Sequence, residues 1–509
     1  MRKIPPRRVA RLPGEILTFL WREDYQVISK LKFISTAGLV ACLATLTPPA
    51  GAATKQWDST SGNWNVSGNW SPTGLPTGSD EVKIRYANNS CFIPNGYTAT
   101  AYRMYVYSEG TGSLVVNGTL AISTTWLKVG FDGGVGRLYQ TGNVLMDDGA
   151  DLIVGDGGTA RSATAIGNYY LQGGSLNTDS LRLGDRGGVG YLYHSGGTAC
   201  YNRMYVGYDG TGTYQMTGGT VHNAGTLYVG HANLTGTASM GTFTHSAGTI
   251  TQGGSIYIGR NADGTGTYSL SGSGLMLAAG QTLYVGSSGT GTLDQSGGSM
   301  VIGTVNIAAN SGSKGVLNLS GGTLQATTVS KGSGTATFNF TGGTLKTDNV
   351  AFAFTNSGGV FDVGATGVNN AATVGGNLTL SFGSVKMELA SLSSYDKLAV
   401  TGSISLGGAL DLSLTGGYTP NIGDSWTVMT STAGVTGVFA SITTGYAVTI
   451  ANGGYDLLLT YVPEPSVVLL LTMGAVMRLG LGRGRKSRKV RILPAPDPEP
   501  QQAPKALAA

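Results

Sequence analysis

The sequence predicts an all-β fold, a right-handed parallel β-helix of about ten coils with three strands per coil, closed by an N-terminal cap and a C-terminal β domain. Three observations carry that prediction. The stretch "MYVGYDGTGTYQMTGGT", Met204 to Thr220, returns in close copies, and residues 104–350 divide into ten units of 21 to 30 residues starting near Met104, Trp126, Asp151, Leu181, Met204, Leu227, Ile256, Leu283, Val305 and Ser330. Repeats of that length are the signature of a solenoid. Apolar residues also alternate with period two and agree from unit to unit, and from Gly130 through Gly286 a glycine follows the first strand, where a sharp corner requires positive φ.

Composition agrees with an extended repeat protein. The 509 residues include 83 glycines, only 12% are charged, and 41% are hydrophobic, enough to support a core. The net charge of +5 belongs to the tails: residues 54–461 hold 16 Lys/Arg against 21 Asp/Glu, a net of −5. That balance removes the electrostatic argument for a nucleic-acid partner. The three cysteines, Cys42, Cys91 and Cys200, form no CxxC pair. Cys91 precedes the stack and Cys200 ends the fourth unit, a separation of about 15 Å or more, beyond the ~7 Å Cα limit of a disulfide.

The first element, residues 1–53, is an N-terminal extension followed by a secretory signal peptide. Lys30 and Lys32 precede an apolar run from Phe33 to Leu46, then Pro48-Pro49 and a small-residue site with cleavage after Ala52 or Ala53. "LVAC", Leu39 to Cys42, also resembles a lipoprotein box in which Cys42 would carry the lipid. The basic preface Met1 to Gln26 is unusual ahead of a signal peptide and predicts a translation start near Val27. Residues 54–103, with Trp57, Trp64 and Trp70, read as the cap.

In the repeats at 104–350 the first strand places Leu127, Leu152, Leu181, Met204, Leu227, Ile256 and Leu283 in one inward column and Val129, Val154, Leu183, Val206, Val229, Ile258 and Val285 in the next. In the second strand Leu192, Tyr214, Phe243, Tyr268 and Leu293 face inward, followed by His194, Met216, His245, Leu270 and Gln295. The units at Asp151 and Leu227 carry extra residues after their first strand, so insertions gather at one corner, which in a solenoid is a favoured binding edge. At residues 351–461 the strands lengthen and the glycine corners thin out, predicting a C-terminal β domain or widened coils. The repeats resemble the autotransporter-type β-strand repeats of bacterial surface proteins.

The chain then reads "VPEPSVVLLLTMGAVMRLGLGRGRKSRK" over residues 462–489: a short polar motif, an apolar run from Val467 to Met477, and a basic cluster from Arg483 to Lys489. This tail resembles the PEP-CTERM sorting signal of bacterial exported proteins, with Pro463, Glu464 and Pro465 in the motif's place. The resemblance implies an exosortase-type processing enzyme as partner, a transient membrane insertion, and delivery to the cell surface or the extracellular polysaccharide matrix. A permanent inner-membrane anchor is the alternative. Arg478 interrupts the apolar run, and residues 490–509 form a Pro/Ala-rich extension beyond the basic cluster.

No catalytic group, cofactor site or metal site is expected. Asp132, Asp156, Asp185, Asp209 and Asp263 recur after the first strand, where Asp-Gly makes turns; a calcium column is the other reading, and Asp147, Asp148 and Asp151 form the densest carboxylate group. His194 and His245 lie two coils apart, too far to share a metal, and read as packed interior residues. No G-x-S-x-G elbow is present. The surface feature that stands out is Tyr205, Tyr228, Tyr257 and Tyr284, at one outward position in four successive units with Arg182 just before them. Stacked coils align these into an aromatic ladder able to hold polysaccharide, or one that is simply architecture. The expected function is that of a secreted structural or adhesive protein and not an enzyme; the alternatives are a polysaccharide-binding module and a carbohydrate-active lyase or hydrolase.

Overall fold

Alternation decides how the repeats fold. A strand that buries every second side chain needs a neighbour with the same phase, and a parallel neighbour one unit later supplies it at every position. In the computed structural model, which describes residues 53–85, 90–107, 113–161, 164–233, 236–364 and 371–462, this produces a parallel β-solenoid of roughly 14 turns. Both predicted tails, with the signal peptide and Pro463, Glu464 and Pro465, lie outside the described residues.

The pairings of the repeat segment fall into three ladders. The first joins Met104, Leu127, Leu152, Leu181, Met204, Leu227, Ile256, Leu283 and Val305. A second joins Leu138, Tyr169, Leu192, Tyr214, Phe243, Tyr268 and Leu293. The third joins Val144, Leu176, Ala199, Val221, Ile250, Met276 and Met300. All of these side chains are buried, so the predicted inward columns form one continuous core. Tyr214, Phe243 and Tyr268 stack within it at 4.6 and 4.8 Å.

Glycine sets the corner after the first ladder. Gly207 has φ 79°, and a Cβ there would lie 2.3 Å from the carbonyl oxygen of Met240 on the next turn. Any side chain would have to push a strand away. The corners between the second and third ladders behave differently from the expectation of separate strands. Thr290–Ile307 and Lys314–Lys331 each run 18 residues through two corners as continuous strands. Their register shifts at Gln295/Ser296 and Ser296/Ser299, so a bulge bends the chain without releasing its neighbour.

The ladders extend past both ends of the ten expected coils. Thr54–Trp57 pairs in parallel with Glu81–Ile84, which pairs with Arg103–Val106. Over this first edge Trp57, Trp64 and Trp70 are buried edge to face, at 5.0 and 4.7 Å from Trp70, and Trp70 Nε1 donates to the Trp64 carbonyl at 2.8 Å. Towards the other end Ala371–Val374, Lys397–Val400 and Ser425–Ser431 carry the parallel pairing onward. There Ser425–Ser431 turns to antiparallel pairing with Asp456–Tyr461, and that strand pairs with Tyr446–Ala451, which ends the parallel stack.

His194 and His245 are fully enclosed, and Nε2 of each ring lies by a corner carbonyl, that of Gly197 at 3.3 Å and of Gly248 at 3.0 Å. Cys91 is buried and Cys200 partly buried, both as free thiols.

Candidate functional site

The outer face of the first ladder gathers the chemistry of this chain. Strand register places Tyr105, Lys128, Ile153, Arg182, Tyr205, Tyr228, Tyr257 and Tyr284 in one column. The four predicted tyrosines stack at 4.7, 5.4 and 4.7 Å with interplanar angles of 7°, 15° and 7°. Arg260 spans the middle of the stack, its guanidinium carbon 4.9 Å from the Tyr228 ring and 4.6 Å from that of Tyr257, and its Nη1 donates to Tyr228 Oη at 3.0 Å. Stacking covers both faces of Tyr228 and Tyr257. These two therefore offer a ligand ring edges and phenol oxygens, and ring faces are available only at the ends of the column.

A second column follows the corner glycine. The positive-φ residue turns the chain back, and Phe131, Asp156, Asp185, Tyr208 and His231 align in register next to the first column. Tyr208 stacks on His231 at 5.4 Å, and Tyr205 meets Tyr208 edge-on at 4.9 Å. The recurrent aspartates therefore divide into two kinds. Asp132 and Asp209, one residue further on, have the left-handed φ of turn residues, 50° and 56°. Asp156 and Asp185 are buried strand residues whose carboxylates meet cations.

Asp156 is fully enclosed and receives Lys128 Nζ at 2.7 Å and a two-pronged contact from Arg186, with Nε at 2.8 Å from Oδ1 and Nη2 on Oδ2. Burial alone would raise this carboxyl, but the hydrogen bonds from Arg186 and Lys128 outweigh it and hold it below the usual carboxylate range. Lys128 also lies over the rings of Phe131 and Trp126, at 4.6 and 4.7 Å. Asp185 is placed oppositely. Burial, with repulsion from Asp156, pushes it up to about 6, and Arg182 and Arg186 each stand 3.9 Å from its Oδ2, too far to hydrogen-bond. Arg182 instead pairs with Asp151 at 2.8 Å.

These side chains wall a cleft of about 440 Å³, with Trp126, Lys128, Arg161, Arg182, Asp185 and Tyr208 among its lining residues. The two long corners expected to form a binding edge both reach it, through Arg161 and Asn233, and the Asn233 N–H donates to Asp209 Oδ1 at 2.5 Å. Among the described residues six non-glycine positions have positive φ, and Arg161, Arg186 and Asp209 of the cleft wall are three of them. Such backbone costs about 1–3 kcal/mol per residue and gathers at functional sites.

Among the described residues no group of three or more His, Cys, Asp or Glu side chains converges as metal ligands. In the sequence the cleft is hidden, because Asp156 and Asp185 look like the turn aspartates beside them. The available signal was the register of the residue after each corner glycine, which sets Asp156 and Asp185 level with Phe131, Tyr208 and His231. Sequence reasoning also missed a second outward stack, Tyr139, Tyr170 and Tyr193, at 4.6 and 4.9 Å on the second ladder. No family model matches this chain, and no curated protein matches it.

Proposed function

We propose that this chain is a secreted structural and adhesive protein of the cell surface or extracellular matrix, a right-handed coil of three strands per turn sorted through Pro463, Glu464 and Pro465 by an exosortase-type enzyme. In this reading it holds extracellular polysaccharide along the first-ladder face and turns nothing over. The observation that carries the adhesive part is the stack of Tyr205, Tyr228, Tyr257 and Tyr284, a row of phenol groups on a rigid sheet with Arg260 across its middle. Ring edges and phenol oxygens in a row beside a guanidinium suit the hydroxyl rims of sugars, and the ring faces left at the ends of the column suit their apolar faces.

The test is fractionation and intact-mass analysis in the native host, with and without the Pro463-Glu464-Pro465 motif, paired with Tyr228→Ala/Tyr257→Ala. Motif-dependent loss of the tail and recovery in the matrix, with retention weakened by the double substitution, is the expected outcome. Full-length protein held in the membrane removes the sorting part, and retention untouched by the double substitution makes the ladder architecture alone.

Asp185 favours a second reading, a carbohydrate-active enzyme. A carboxyl raised to about 6 in an open cleft is suited to protonate a leaving oxygen. Release of new sugar ends that disappears in Asp185→Asn would establish it.

A further inference from the structure

We propose that the cleft at the foot of the tyrosine ladder binds an anionic unit of the polysaccharide, a sugar carrying a carboxylate or a sulfate ester. The inference rests on the polysaccharide-holding reading of the ladder and adds the class of sugar and the residues that recognise it.

Charge distribution is the first support. The body of the chain is acidic, with 16 basic against 21 acidic residues over 54–461, yet four of those basic residues, Lys128, Arg161, Arg182 and Arg186, line this one cleft. Lys83, Arg103, Arg203 and Arg260 lie on the same ladder or at its following corner, so half of the basic residues of the body crowd one face of the solenoid. Carboxylates share that face: Asp151, Asp185 and Asp209 line the cleft and Asp156 lies beneath it, so the formal charges balance and recognition falls to the guanidinium groups that keep open donors.

The carboxylates of the cleft leave some of its donors unfilled. Asp156 lies beneath the wall and takes Lys128 and Arg186, Asp151 is held by Arg182, and Asp209 accepts the Asn233 N–H. Asp185 stands apart, with both neighbouring guanidinium groups at 3.9 Å, too far for either to spend a hydrogen bond on it. On the donor side, Arg161 Nη2 and Arg182 Nε are buried with no hydrogen-bond partner among the described residues. A guanidinium has five N–H donors and accepts nothing, so unfilled donors in a cleft call for an acceptor, and the planar fork fits carboxylate and sulfate oxygens.

Position ties the cleft to the ladder. Arg182 is in register with Tyr205, and Tyr208, over which the Arg182 guanidinium lies at 5.1 Å, touches Tyr205 edge-on. A glycan chain lying along the tyrosines therefore runs onto Arg182 at the next turn, about 4.8 Å away.

The experiment measures binding of the full chain to polygalacturonate, dextran sulfate and uncharged dextran by affinity electrophoresis and calorimetry at two salt concentrations. The expected result is that one or both anionic polymers bind at least tenfold more tightly than dextran, more weakly at higher salt, and that Arg161→Ala and Arg182→Ala each remove most of that preference. Binding of only one anionic polymer assigns the carboxylate or the sulfate. Arg161→Ala guards against misfolding, because Arg161 takes part in none of the ion pairs described above, whereas Arg182→Ala frees Asp151. Equal binding of dextran, or an anionic preference unchanged in Arg161→Ala and Arg182→Ala, overturns the inference while ladder-dependent binding leaves the broader reading standing. Absence of binding to all three polymers, with matrix retention indifferent to Tyr228→Ala/Tyr257→Ala, overturns both.

Discussion

The hydroxyl of Tyr214 lies 2.8 Å from Nδ1 of His194, inside the core and one turn further along the stack. His194 Nε2 faces the Gly197 carbonyl, so that nitrogen carries the proton and Nδ1 accepts from the tyrosine. The same arrangement recurs where Tyr268 follows His245, at 3.0 Å, and where Tyr169 follows Gln140, at 2.5 Å, with Gln140 Nε2 donating to the carbonyls of Gly142 and Ser175. A polar side chain pins a corner, and the aromatic side chain of the next turn completes its hydrogen bonds. Gln295 occupies the same column but is followed by Leu317, and there Oε1 has no hydrogen-bond partner.

Removing that hydroxyl should therefore cost more than a surface hydrogen bond. Tyr214→Phe and Tyr268→Phe each leave a buried ring nitrogen unpaired, and a loss of about 1–3 kcal/mol is expected in urea unfolding. Losses below about 0.5 kcal/mol for both would show that the hydroxyls contribute nothing.

Acid should weaken the fold through the same residues. Burial pushes His194 down to about 4, below its ordinary 6.5, and lowers His245 in the same direction. The folded state then binds fewer protons than the unfolded chain, so the stability these rings contribute is full above pH ~6.5 and is lost as pH falls towards ~4. His194→Gln, which has the donor and acceptor used by Gln140, should flatten the decline over that window by about 3 kcal/mol, read from denaturant midpoints against pH. An unchanged slope would remove His194 as its source.

Asp185 carries the opposite sign. Its folded value of about 6 lies above the ordinary 3.8, so folding takes up a proton and stability falls as pH rises between the two. Asp156, Asp209, Arg182 and Arg186 face it and set that value after burial. Asp185→Asn should stabilise the protein at pH 7 by about 2–3 kcal/mol and leave it unaltered near pH 3. Binding of anionic glycan by the natural protein should also strengthen from pH 7 to pH 5, and Asp185→Asn should abolish that dependence.

Asp156→Ala should be among the most damaging single changes. It leaves Lys128 without its direct partner and Arg186 with only Asp185 at 3.9 Å, and breaking a buried pair from one side costs about 3–5 kcal/mol. Adding Lys128→Met should recover part of the loss, and a thermal melt of the single and double variants checks both statements.

Tyr228→Ala removes the partner of two stacked rings and the acceptor of Arg260, with an expected loss of about 1–3 kcal/mol. Tyr284→Ala, at the end of the column, should lose about half as much.

Much of the fold was legible because a solenoid repeats its evidence. Leu127 alone says little, but seven apolar residues at one position in seven units leave one phase for the strand, and the tyrosine column follows from that phase. The continuous strands through the "SGG" corners were not legible, since a glycine pair signals a turn whether the chain breaks there or bulges. The cleft stayed hidden for a different reason. Whether Asp185 is a turn residue or a buried acid depends on one residue of register after Gly184, whose φ is 68°, and on Arg161 and Asn233 arriving from other turns. Pairings across turns are long-range facts that no local window contains.

The stack, finally, is bounded by the tryptophan triad at one edge and the antiparallel strands at the other, while every interior turn meets only copies of itself. Gene duplication can thus add or delete a whole rung at little cost to its neighbours, changing length by steps of about 4.8 Å. A turn gained between Tyr228 and Tyr257 would extend the aromatic row by one ring. Reach, for this molecule, is a heritable integer.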